Sequence, residues 1–336
     1  GVWWWIAQPV VLARAPIDAA TRLDCVSYAP FRGSQTPLNS TLRVSAEQIS
    51  QDLAQLARIT GCVRTYSVDN GLDQVPALAA RAGLKVIHGL WLGRDRLKNR
   101  QQIDTTVALA KEYPGVITAI VVGNEVLLRG EMTATDLVSY IRSVKAQVTG
   151  IPVTYADVWE FWLRHRDIYE AVDFITIHIL PYWEDFPIRA RHAASHVDLI
   201  RKRVAVTFPA KEILIGETGW PSQGRMREGA LPSRTNQARV ISEVLELARR
   251  EKFRVNLIEA YDQPWKRKLE GTVGGHWGLF DAYERKPKFI WGQAVSNHPD
   301  WRLQAAAGVG FAALVFAAAL AGSRRRSDSA AGLRQR

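Results

Sequence analysis

The stretch Val116-Ile117-Thr118-Ala119-Ile120-Val121-Val122-Gly123-Asn124-Glu125 decides how this chain is read. It is a short, almost wholly apolar run that closes on a glycine, with a carboxylate just past its end. A run this apolar fits a strand buried on both faces, in a parallel sheet covered by helices, better than a half-exposed antiparallel strand. A second run, Glu212-Ile213-Leu214-Ile215-Gly216, ends the same way, in Glu217-Thr218-Gly219-Trp220-Pro221-Ser222. An acid stranded at the end of a buried strand, beside a glycine, adds little to solubility and is well placed for chemistry. Two such sites predict paired carboxylates facing one cleft.

Outward from these two runs the pattern repeats. Candidate strands are 24–28, 62–66, 85–90, 117–123, 152–156, 174–180, 212–216 and 255–261. Amphipathic stretches lie between them. Ile49, Leu53, Leu56 and Ile59 fall at helical spacing, with Gly61 as a stop. Thr133 and Asp136 form a capping-box pattern ahead of Leu137, Ile141, Val144 and Val148. Val240, Val244, Leu247 and Ala248 mark another buried helix face. Eight strands with crossover helices predict an α/β fold, a (β/α)8 TIM barrel, which commonly occupies about 250 residues. An open doubly wound sheet is the rival, but no glycine-rich dinucleotide fingerprint follows the first strand. The expected division is a membrane-proximal stub at 1–20, a catalytic domain at 21–300, a transmembrane helix at 301–322 and a basic tail at 323–336.

Composition narrows the function. The 336 residues carry a formal charge of +11, 47% hydrophobic residues and twelve tryptophans. Five arginines and one aspartate fall in 323–336, and the remaining basic residues are scattered, so nucleic acid is not an expected partner. Cys25 and Cys62 make no metal pattern. They lie near the starts of the first two strands, where two buried thiols are expected and a cross-strand disulfide is the alternative.

Residues 305–322 are an unbroken run of Ala, Gly, Val, Phe and Leu. As a helix this run spans about 27 Å, close to a hydrocarbon core of about 30 Å. Trp301 and Arg302 precede it and Arg324-Arg325-Arg326 follow, which predicts the tail inside and the large domain outside. An alanine-rich soluble helix is the plainer alternative. The amino end, with Trp3-Trp4-Trp5 and Val10-Val11-Leu12, reads as the end of a membrane helix or as a membrane-facing stub.

In a barrel, functional groups collect where the strands end. Glu125 after strand four and Glu217 after strand seven suit glycosidic cleavage, in which one carboxyl protonates the leaving oxygen and the other attacks or activates water. Trp159, Tyr182, Trp183, Trp220 and Trp265 sit near predicted strand ends and are candidate sugar platforms, as are Trp162 and Trp277. Gln263 and Lys266 are candidate donors to substrate hydroxyls, and His178 and Asp157 are candidate rim or supporting groups. His88 and Trp91 would shape a more distal sugar site. Glu259 reads either as a site residue or as part of a buried polar network.

Gly123-Asn124-Glu125, Gly216-Glu217-Thr218-Gly219-Trp220-Pro221-Ser222, Val63-Arg64-Thr65-Tyr66 and His276-Trp277-Gly278-Leu279-Phe280 together resemble glycoside hydrolase family 17, the β-1,3-glucanase family, over about residues 22–293. The resemblance implies Glu125 as acid/base and Glu217 as nucleophile, carboxyl groups about 5–5.5 Å apart, and retention of configuration. It also implies that Asn124 orients the sugar 2-hydroxyl and that Tyr66 hydrogen-bonds the nucleophile. No cofactor or metal is implied. The wording at 263–266 and 181–184 departs from the plant-like pattern and resembles bacterial membrane-associated members that remodel β-glucan. That resemblance implies a bacterial inner-membrane protein with a periplasmic barrel and a cytoplasmic tail. Expected partners are β-1,3-glucan or its oligosaccharides, the membrane, and a membrane glycosyltransferase. The expected activity is transglycosylation that elongates, branches or cyclises glucan. The alternatives are endo- or exo-hydrolysis, or a non-catalytic glucan-binding module.

Overall fold

The computed structural model describes residue 4, residues 7–11 and residues 22–333. Eight parallel strands close into a barrel in chain order: β1 (Cys25–Ser27), β2 (Cys62–Arg64), β3 (Lys85–Leu90), β4 (Ile117–Asn124), β5 (Val153–Val158), β6 (Ile175–His178), β7 (Ile213–Thr218) and β8 (Arg254–Leu257). β8 pairs back onto β1, so the open-sheet rival is excluded. The helices start where their sequence says they should. Ser45, Asp95, Thr133 and Ser233 each accept a backbone N–H at a helix start, satisfying donors that the helix itself leaves unpaired. Ile49, Leu53 and Leu56 pack inward as their spacing predicts, although that helix ends at Leu56, short of Ile59.

The barrel interior changes character along its axis. Toward the strand starts, Cys25, Cys62, Ile87, Ala119, Val121, Ala156, Phe174 and Leu214 form an apolar plug. Above it lie polar groups that satisfy one another, such as Thr154 with Thr176 and Asn256 with Ser27. A closed apolar floor leaves chemistry only at the carboxyl ends of the strands.

Cys25 and Cys62 are joined in a disulfide between β1 and β2, which corrects the expectation of two thiols. Their separation in sequence carries no information on strand register, and register is what brings the two Cα atoms to 4.5 Å. Loop-closure entropy for the 37-residue separation corresponds to about 3–4 kcal/mol. The double variant Cys25→Ala/Cys62→Ala should therefore melt roughly 5–10 °C lower in a calorimetric scan. An unchanged midpoint would mean that the crosslink adds nothing to stability.

The described chain closes with the helix Trp301–Leu333. Its segment Trp301–Gly322 is long and apolar enough to cross a membrane.

Candidate active site

β4 delivers Glu125 through an irregular end. Gly123 and Glu125 both take positive φ, 84° and 52°, and the β4–β5 pairing shifts register between Val121 and Asn124. Similar shifts occur at Ile177/His178 between β6 and β7, and at Ile215/Thr218 between β7 and β8. A bulge re-aims the side chains that follow it, and these three stand beside Glu125, His178 and Glu217. The glycine at 216 is required by the same packing. A Cβ there would stand 2.4 Å from Thr176 Cγ2 and 3.1 Å from Arg64 Nη1.

One oxygen of Glu125, one oxygen of Glu217 and a ring nitrogen of His178 lie within 4.8 Å of one another. His178 is fully buried, bonded through Nδ1 to Glu125 Oε1 at 2.7 Å, with Nε2 3.6 Å from Glu217 Oε1. It sits beneath the pair and not at the rim. Tyr66 donates to Glu217 Oε1 at 2.8 Å and meets Ser27 at 2.6 Å. Arg64, also fully buried, donates to the Gly216 carbonyl at 2.7 Å and to Asn124 Oδ1 at 2.6 Å, and lies 3.7 Å from Glu217 Oε1. Asn124 is thereby fixed at the cleft. Glu217 Oε2 has no hydrogen-bond partner among the described residues, which leaves that oxygen available for chemistry.

Burial would raise Glu125, but the hydrogen bond and charge of His178, with the charges of Arg129 and Arg64, hold it below its usual range. Burial keeps the proton on Tyr66, so it remains a donor to Glu217. Asp157, wholly buried, accepts from Tyr155 and from the Val158 N–H; burial pushes it up to about 6. It braces the turn after Glu125, accepting from Leu128 N as well.

The other candidates divide. Trp183 is exposed enough to meet a sugar and stacks near-parallel on Trp277 at 6.5 Å. Lys266 lies at the cleft wall, but its ammonium is bound by both oxygens of Glu259, at 3.0 and 3.2 Å. Trp265, half-buried, donates to Gln263. Gln263 is itself fully buried and bonded to the carbonyls of Ala29 and Tyr261, so it is not free to meet substrate. Trp220 is core, donating to the Leu231 carbonyl, and Tyr182 is buried with its hydroxyl on the Arg225 carbonyl. Trp159 is nearly covered and donates to Glu184, and Trp162 is buried against the Thr176 carbonyl. His88 faces the covering helix, where Thr106 meets it at 3.2 Å, and burial lowers it to about 4. Trp91 does reach the surface, with the Arg129 guanidinium 4.1 Å over its ring.

Several contributors were given no role from sequence. Arg64 was visible as an arginine in an apolar strand. Arg129, which donates to the carbonyls of Asn124 and Leu92, carried no such signal. Glu270 is raised by burial against the attraction of Lys266, with the charges of Glu217 and Glu125 adding to the effect. Glu259, for which the sequence left a site role or a buried polar network open, binds Lys266, and burial raises it to about 7 against that attraction. An acid whose folded value lies above its unfolded one stabilises the fold most below its unfolded value. That contribution is lost as pH climbs toward 7. The loss attributable to Glu259 is at most on the order of 3 kcal/mol. Glu259→Gln should therefore melt with a flatter pH dependence between pH 5 and 8 than the unsubstituted chain. Parallel declines in the two proteins would show that another group carries the effect.

A closed β/α barrel with two carboxylates converging at the ends of β4 and β7 over a buried arginine and histidine has the architecture of a barrel glycosidase. Residues 25–278 match the BtgE/BtgC glycoside hydrolase domain, and the chain belongs to that family. It is an enzyme, a glycoside hydrolase. Relatives include the glucan 1,3-beta-glucosidase of Arthroderma benhamiae, 31% identical over 249 residues, which are 68% of this chain and 78% of that one. The glucan 1,3-beta-glucosidase of Saccharomyces cerevisiae is 26% identical over 71% of this chain and 83% of that one. Among solved structures, the family 17 β-1,3-glucanosyltransferase of Rhizomucor miehei superposes with a TM-score of 0.70 at 23% identity, over 80% of this chain and 97% of that one. An endo-laminarinase from Formosa Hel1_33_131 gives 0.68 at 19% identity, over 77% and 83%. At such identities the superpositions show the fold.

The two glucosidase relatives are fungal, and so is the resemblance they carry, which overturns the bacterial inner-membrane placement with its periplasmic barrel and cytoplasmic tail. The flanking charges of a helix bear on its direction through a membrane, not on which organism or membrane holds it.

Proposed function

We propose that this chain is a retaining enzyme of β-1,3-glucan that transfers glucan segments, with Glu217 as nucleophile and Glu125 as acid/base. The supporting observation is the approach of the two carboxylates, with oxygens within 4.8 Å of each other. That agrees with the spacing of about 5–5.5 Å in retaining enzymes and falls short of the roughly 6.5–9.5 Å that leaves room for water in inverting ones. In this reading Glu217 Oε2 attacks the anomeric carbon while Tyr66 and Arg64 steady Oε1. Glu125 gives its proton to the departing oxygen and then takes one from the incoming hydroxyl. Because His178 holds Glu125 low in the free chain, the acid role requires the sugar to displace water and raise it on binding.

The names of its relatives agree on the linkage: two are glucan 1,3-beta-glucosidases, and the Rhizomucor miehei glucanosyltransferase has been solved with laminaritriose. Transfer over hydrolysis is favoured by a depression of about 460 Å³ bordered by Trp183, Arg225, Arg227, Glu228 and Glu270. Its stacking face and hydrogen-bonding rim suit an acceptor sugar.

The test incubates the full chain in detergent with linear β-1,3-gluco-oligosaccharides and follows products by mass spectrometry and linkage-resolved NMR. Products longer than the starting oligosaccharide are expected. Shorter products alone would leave a hydrolase, and no product at all would overturn both.

A further inference from the structure

The two ends of the described chain meet. Val10 pairs with Val295 and Val11 with Ala294 in a two-stranded antiparallel ribbon, and Ser296 Oγ donates to the Ala7 carbonyl at 2.9 Å. In an antiparallel pair the segment before one strand and the segment after the other leave in the same direction. Counted outward from the Val10–Val295 pair, Trp4 and Trp301 stand at the same remove. Trp4 is exposed, and its carbonyl accepts from Gln8 Nε2 at 2.9 Å. Trp301 opens the apolar helix that is long enough to cross a membrane.

The ribbon is tied firmly to the barrel. Val295 is buried, and Asn297 accepts from Thr235 N at 3.1 Å and donates to Thr235 Oγ1 at 2.9 Å. Thr235 lies in the first turn of the helix Arg234–Glu251, which follows β7, the strand that carries Glu217. Crossover helices begin at the catalytic end of a barrel, so the tether joins the catalytic half.

We propose that the segment bearing Trp4 is a second membrane contact, seated in the interfacial layer of the same bilayer that the C-terminal helix enters. Tryptophan favours the level of the headgroups, and the ribbon sends the segments bearing Trp4 and Trp301 off in the same direction. A helix alone is a swivel; two contacts joined through a short ribbon would fix how the barrel, and with it the cleft, faces the surface. The inference rests on the helix being membrane-embedded.

The test uses the full chain in phosphatidylcholine vesicles. With Cys25 and Cys62 bonded to each other, a cysteine introduced by Trp4→Cys, Trp301→Cys or Lys111→Cys is the sole reactive thiol for an environment-sensitive fluorophore. Lys111 is exposed on a helix across the barrel from the ribbon. Lipids with a nitroxide near the headgroup should quench the labels at 4 and 301 to similar extents, several-fold more than the label at 111. Quenching at 301 with position 4 no better quenched than position 111 overturns the second contact. Equal quenching at all three overturns it too, as adsorption of the whole barrel. Absence of quenching at 301 removes the membrane-embedded helix itself, and the proposal with it.

Discussion

Glu217→Gln is expected to cut turnover of β-1,3-gluco-oligosaccharides by roughly 10⁴-fold or more, the scale seen when a covalent nucleophile is removed from an otherwise intact site. The substitution is nearly isosteric. Tyr66 can still donate to Oε1, and Arg64 keeps its bonds to Gly216 and Asn124, so the fold should stand. What disappears is the anionic oxygen Oε2. Substrate affinity, measured by calorimetry on the variant, should survive within about tenfold, because the loss lies in the transition state and not in ground-state contacts. A variant that still turns over within tenfold of the parent chain would remove Glu217 from the mechanism, whatever its position in the barrel.

Glu125→Gln should behave differently, and the difference separates the two roles. General acid–base catalysis contributes roughly 10²–10⁴-fold, so oligosaccharide turnover should fall by that amount. The loss should depend on the leaving group. A β-laminaribiosyl fluoride, whose fluoride departs with little need of protonation, should still glycosylate the enzyme at close to the parent rate. The second half-reaction, now without a base, should become limiting. Azide, an anion that needs no base, should restore turnover and yield a glycosyl azide of β configuration. An equal loss for the fluoride and the oligosaccharide, with no azide rescue, would assign Glu125 a positioning role through His178 instead.

Both glutamates were legible in the sequence for the same physical reason: each is an ionisable group placed where an apolar strand ends. The barrel was legible from the strands themselves, since runs such as 117–123 are too apolar to face water on either side. What escaped was everything that depends on register and on where a loop turns back. Gln263 follows a strand and reads as a donor to substrate hydroxyls, but the loop folds inward and its amide is used up on the backbone of Ala29 and Tyr261. Trp220, two residues after the motif's Thr218, reads as a sugar platform and is instead wholly buried. His178 reads from sequence as a rim or a supporting group, and the structure places it as the supporting one. Only the pairing of His178 with Glu217 across β6 and β7 puts it beneath both carboxylates. The disulfide and the ribbon between the chain ends are likewise matters of register.

The most direct test of the central claim is to trap the intermediate. The full chain is treated with a 2-deoxy-2-fluoro-β-laminaribiosyl fluoride, digested, and its peptides are mapped by mass spectrometry. A single glycosyl adduct on Glu217, formed in the parent chain and absent from Glu217→Gln, is the predicted result. An adduct on another carboxylate, or products of inverted configuration with no adduct at all, would contradict it.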